Sequence, residues 1–90
     1  MAKAFRQLER VVRAFANHRR IEVLDQLESE DELDLGEIAR RCGINYKTAS
    51  EHLRRLTLAG LVTKRAKGVH VLHLLSPRGR KVLLFLRTLE

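Results

Sequence analysis

Two short apolar rhythms meet at one glycine, and this arrangement leaves the chain little choice of fold. The stretch runs Leu35-Gly-Glu-Ile-Ala-Arg-Arg-Cys-Gly-Ile-Asn-Tyr-Lys-Thr-Ala-Ser-Glu-His-Leu53. Asp34 and Glu37 have the spacing of a capping box, so a helix is predicted over about 35–42. Gly43 stops it at a position that favours a left-handed backbone. Asn45 then caps a longer helix, about 46–59, that ends at Gly60. Ile38, Cys42, Ile44, Ala49 and Leu53 form a shared apolar seam, and Ala39 is small where two helices would cross closely.

The layout is helix, tight turn, helix. The second helix would be about 21 Å long at 1.5 Å per residue. A glycine turn between two helices is a common accident, so the segment after the second helix carries weight. Leu61 to Lys67 and Val69 to Leu75 read as two strands with Gly68 at the tip, flanked by Lys64, Arg65 and Lys67. Ser76 and Pro77 open a last helix running to about Leu89. Upstream, residues 3–15 fit an amphipathic helix with Phe5, Leu8, Val12 and Phe15 at helical spacing. Asn17 caps a second helix that presents Ile21, Leu24 and Leu27 at helical spacing, with Val23 beside them, and dissolves in the acidic run from Glu28 to Asp34. The expected fold is mainly α with a small β-hairpin wing: five helices and a two- or three-stranded sheet, in one domain over 1–90.

Charge narrows the class of partner. Residues 1–45 hold 8 Lys/Arg against 9 Asp/Glu, whereas residues 46–90 hold 10 against Glu51 and Glu90. The net +7 of the chain therefore lies in the C-terminal half, around the hairpin and the longer helix. Such a surface suits a polyanion. The longest apolar run, Val82 to Leu86, is far short of the roughly 20 residues that a membrane helix needs. No apolar signal segment follows Lys3 and Arg6, and the single cysteine excludes an internal disulfide framework. A cytoplasmic chain with no membrane partner is expected.

The chain resembles the winged-helix repressors of the ArsR (arsenical-resistance repressor) family over nearly its whole length. Ala16-Asn17-His18-Arg19-Arg20-Ile21-Glu22-Val23-Leu24 is similar to that family's helix start, with His18 where a proline is usual. Leu35-Gly-Glu-Ile-Ala39, Thr48-Ala-Ser-Glu-His-Leu-Arg-Arg-Leu-Thr-Leu-Ala-Gly-Leu-Val62 and Leu75-Ser-Pro-Arg-Gly79 carry the rest of the likeness. The resemblance implies a winged helix-turn-helix that binds double-stranded DNA and regulates transcription. It places Tyr46, Lys47, Ser50 and Glu51 at the groove-facing start of the recognition helix.

By chemistry, Lys47 and Arg54 suit phosphate or guanine acceptors, Ser50 suits either, and Tyr46 suits a sugar or a thymine methyl. Arg55 completes the exposed set, and Lys64, Arg65 and Lys67 are expected on the DNA backbone or an adjacent minor groove. Glu51 either accepts from a cytosine amino group or pairs with Arg54 or Arg55; pairing is favoured. Val82 to Leu86 are apolar all round the last helix, more than one face of a surface helix carries. A homodimer is therefore expected, with Phe5, Leu8, Val12, Leu83, Leu86 and Leu89 at its interface.

No cofactor and no metal are expected. Cys42 sits on the apolar seam and stands alone. His18, Glu22 and Asp25 share a helix face that reads as solvated surface. His70 and His73 point to opposite faces of a strand. His52 matches a histidine of the family motif and is expected beside the seam. Ser29, Ser50 and Ser76 belong to no His–acid set, so no catalysis is expected. The rival readings are a metal- or ligand-gated sensor, a protein-interaction module and an architectural DNA binder.

Overall fold

The computed structural model describes residues 4–30 and 32–90. Lys3, at the start of the expected first helix, and Asp31, inside the acidic run, lie outside them. The order of elements is α1 (Phe5–Phe15), α2 (His18–Glu30), β1 (Leu33–Asp34), α3 (Leu35–Cys42), α4 (Tyr46–Leu58), β2 (Val62–Lys67), β3 (His70–Leu75) and α5 (Pro77–Arg87). None of the described helices is long and apolar enough to cross a membrane.

Each helix from α2 to α5 starts where the sequence offers an oxygen to its orphan amides. Asn17 Oδ1 accepts from Arg19 N at 2.9 Å and Arg20 N at 3.1 Å. Asp34 Oδ1 accepts from Glu37 N at 2.9 Å, and the Glu37 carboxylate takes the Asp34 amide, closing the capping box. Asn45 Oδ1 accepts from Thr48 N at 2.7 Å, and Ser76 Oγ from Gly79 N at 2.9 Å. Gly43 ends α3 with φ of 64°, a left-handed conformation that a side chain would strain. Helix α2 ends at Glu30, inside the acidic run as expected, and α5 stops at Arg87 with Thr88 as its cap.

The sheet has the order β1-β3-β2, all antiparallel. The third strand is the two-residue β1, with Leu33 opposite His73 and Asp34 opposite Leu72. The strand β3 starts at His70, leaving Val69 in the turn with Gly68. One core joins the layers: Val23, Leu24 and Leu27 of α2, Ile38 and Cys42 of α3, Leu53 and Leu56 of α4, Leu61, Val62 and Leu75 of the wing, and Leu83 of α5. Helix α1 lays Ala14 and Phe15 on it, while Phe5, Leu8 and Val12 are exposed.

The base of the wing is closed by one short segment. Ser76 N donates to Leu61 O at 3.1 Å, Ser76 Oγ to Gly60 O, and Arg78 Nη1 to Ala59 O at 2.9 Å. Gly79 lies so close that a Cβ there would stand 2.1 Å from Leu61 O. No backbone tolerates that distance, so Gly79→Ala must push α5 off the wing. The overpacking should cost roughly 1–3 kcal/mol, measured as a lower urea midpoint with an unchanged slope.

Candidate nucleic-acid interface

Helix α4 buries Ala49, Leu53 and Leu56, which leaves its other faces to solvent. Tyr46, Ser50 and Arg54 recur every fourth residue and so form one row. Opposite them rises the wing, and between the two runs an open cleft of about 670 Å³. Lys64, Val71 and His73 line it from the sheet, and Leu35 and Gly36 from the start of α3. The structure thus brings Tyr46, Ser50, Arg54 and Lys64 around one concavity. Lys47, Glu51 and Arg55 are exposed on α4 as well.

Glu51 is fully engaged. Arg54 Nε and Nη2 donate to its two oxygens at 3.0 and 2.7 Å, and Arg55 Nε donates to Oε1 at 3.1 Å. The Arg54 hydrogen bonds, with the two guanidinium charges, push the Glu51 carboxyl down to about 2. The sequence expectation of pairing with Arg54 or Arg55 is met by both at once.

The wing splits its cations. Lys64 lies opposite His73 in the ladder and lines the cleft, whereas Arg65, one residue on, turns to the other face. There Arg65 Nε and Nη2 donate to Glu32 at 3.1 and 2.6 Å. The sequence offered no hint of this pair, because its members stand 33 residues apart and meet only through β1. Lys67 is exposed at the end of β2. The cleft residues Val71 and His73 also went unassigned in the sequence, since the hairpin's mixed alternation does not say which face turns toward α4.

The expected dimer set divides. Phe5, Leu8, Val12 and Leu89 are exposed. Leu83, only 3% exposed, instead packs in the chain's own core, and Leu86 leans against that core. The apolar side chains that α5 turns outward next to them are Leu84 and Phe85, 64% and 56% exposed. An all-apolar block does not reveal which of its residues face inward, and packing on α2 decides it.

The other candidates have ordinary partners. Cys42 is buried, and burial pushes its thiol up. Glu22 pairs with Arg19, and Asp25 with Arg87. Among the described residues no three His, Cys, Asp or Glu come together as a metal-holding group. His52 Nδ1 lies 3.4 Å from Arg20 Nη1, and burial together with that arginine pushes its pKa down.

The helix-turn-helix domain family matches residues 15–65, more than half of the chain. This chain belongs to that family. A transcriptional regulator of Mycobacterium tuberculosis, Rv0324, is 42% identical over 62 residues, which cover 69% of this chain and 27% of that protein. The transcriptional activator HlyU of Vibrio cholerae is 35% identical over 66 residues, 73% of this chain and 60% of that protein. The chain thus spans about a quarter and three-fifths of these relatives. A homodimeric winged helix-turn-helix DNA-binding domain from Mycobacterium bovis, described as a possible ArsR-family transcriptional regulator, superposes with a TM-score of 0.85. It is 29% identical, and the match covers 99% of this chain and 89% of that one. The HlyU structure gives a TM-score of 0.83 at 30% identity, covering 99% and 97%. The ArsR-like winged helix-turn-helix architecture expected from the motifs is the one observed.

Within this ArsR-like fold His73 is the buried polar group of the cleft. Its Nδ1 lies 3.2 Å from Leu33 O, and a carbonyl only accepts, so Nδ1 carries the proton of the neutral ring. Burial pushes the His73 pKa down, against the pull of that hydrogen bond. A histidine with a lowered folded pKa binds fewer protons folded than unfolded near its ordinary value. Its contribution is therefore intact above about pH 6.5 and is lost as pH falls toward the folded pKa. Melting temperature should drop between pH 7.5 and 5.5, and drop less in His73→Asn, which keeps a donor near Nδ1 and cannot titrate. His52 shifts the same way and leaves a residual slope.

Proposed function

We propose that the chain is a sequence-specific duplex-DNA-binding transcription regulator that works as a homodimer, the whole of 1–90 acting as one winged-helix unit. Helix α4 enters the major groove, about 12 Å wide, and the wing meets the sugar–phosphate backbone. One observation carries the reading: the capped start of α4 presents Tyr46, Lys47 and Ser50 beside a cleft that Lys64 of the wing lines from the far side. A helix flanked by a basic hairpin is shaped to straddle a groove wall. The charge distribution supports it, since residues 46–90 carry nearly all the excess cations. The similar proteins, two transcription regulators and a DNA-binding domain, support it too. Such a chain works where the DNA is, the cytoplasm. Selection of bound sites from random duplexes is the test. A palindromic site is expected, and random sequences would point to an architectural binder.

The geometry supports a division of contact roles. Lys67 is exposed at the wing tip, whereas Arg65 is already held by Glu32, so Lys67 is the cleaner backbone probe. Lys67→Ala should weaken selected and scrambled duplexes alike and lower the salt slope by about 0.9. Lys47→Ala should cost roughly 1–3 kcal/mol on the selected site and little on the scrambled one. Affinities for both duplexes at two salt concentrations check this, and the reverse pattern would exchange the two roles.

The dimer reading rests on the outward side chains of α1 and α5, each worth roughly 1.5–3 kcal/mol when covered. Leu84→Glu with Phe85→Glu should give a folded monomer by light scattering and circular dichroism. Leu83→Glu should unfold the chain instead, because that side chain is in the core. A wild-type monomer at micromolar concentration would remove the dimer from the proposal.

A further inference from the structure

We propose that Glu51 is a positioning residue that sharpens discrimination between DNA sequences by holding Arg54 and Arg55 off the phosphate backbone. The inference rests on the DNA-binding reading of this same surface. Between Tyr46 and Lys67, the span that holds α4 and the first wing strand, Glu51 is the only carboxylate in the sequence. It stands on an exposed face of α4, on the surface that this reading turns toward a polyanion, where a carboxylate is repelled. A residue that hinders binding there needs another role.

The geometry supplies one. A guanidinium has two edges that can make paired hydrogen bonds, and Glu51 occupies the Nε–Nη2 edge of Arg54 at 3.0 and 2.7 Å. The same carboxylate takes Arg55 Nε at 3.1 Å. One anion thereby fixes two long cations that would otherwise reach for the nearest phosphates. Phosphate contacts raise affinity for every duplex and carry no sequence information. Restraining Arg54 and Arg55 lowers this uniform part of binding and leaves base contacts from Tyr46, Lys47 and Ser50 a larger share. Arg54 lines the cleft and so keeps its other edge near the groove. The Glu51 carboxylate stays charged through the whole working pH range, so the restraint is always present.

The experiment compares wild type, Glu51→Ala and Glu51→Gln on a duplex selected by the wild type and on its scrambled counterpart, at two salt concentrations. Glu51→Ala should bind the scrambled duplex more tightly, and its salt slope should steepen by about 0.9 for each arginine released. The ratio of selected to scrambled affinity should fall by roughly three- to tenfold. Glu51→Gln, which keeps an acceptor without the charge, should fall between. In an Arg54→Ala, Arg55→Ala background, removing Glu51 should leave the ratio of selected to scrambled affinity unchanged. A Glu51→Ala protein with altered melting temperature but wild-type slope and ratio gives Glu51 a purely structural role and overturns the proposal while leaving DNA binding intact. A fall in that ratio that persists without the two arginines also overturns it. A wild type with no affinity for any duplex would overturn the function and this inference together.

Discussion

Three successive carbonyls, Ala59, Gly60 and Leu61, hold this fold in register. Each accepts a hydrogen bond from the segment Ser76 to Arg78, and Gly79 is seated against the last of them. The end of α4, both ends of the hairpin and the start of α5 therefore meet at one point. The wing is clamped where it leaves the body, so its angle to α4 is set by hydrogen bonds to the backbone rather than by side-chain packing at the exposed tip. The cleft between α4 and the sheet has fixed walls for the same reason. Helix α5 starts from the same clamp, which ties the helix proposed to face a partner chain to the helix proposed to face DNA.

At the other side of the sheet Asp34 serves two elements at once. It pairs with Leu72 as the last residue of β1 and caps α3 through Glu37. No linker separates the sheet from the helix-turn-helix, and Leu35 and Gly36 fall directly into the floor of the cleft. The His73 hydrogen bond to Leu33 O pins the same strand pair from inside.

What the sequence made legible was local. Asn17, Asp34, Asn45, Ser76 and Gly43 mark helix ends by chemistry acting over three or four residues, and all five stand where the sequence placed them. The seam of Ile38, Cys42, Ala49 and Leu53 was equally readable from its period. The Glu51 pairing lies within about one turn of a helix and was legible for that reason. Beyond one turn the signal fades. The strand β1 is two residues long and shows no alternation. The Glu32–Arg65 pair closes across the sheet, and the inward choice of Leu83 over Leu84 and Phe85 depends on how α5 lies on α2. Of the candidate site, the residues of α4 could be named in advance, while the faces of the wing that carry Lys64 and Arg65 could not.

The strand β2 forms one border of its sheet, with β3 on one side and, among the described residues, no strand on the other. A bare border of this kind is a template on which another chain can add a strand, and lysines along it discourage that. Here the border carries Lys64, Arg65 and Lys67. On the proposed reading, Lys64 and Lys67, offered to nucleic acid, would also discourage the hairpin from pairing edge to edge with its neighbours at high concentration. On that reading, a wing stripped of these cations would be exposed to aggregation as well as to loss of binding.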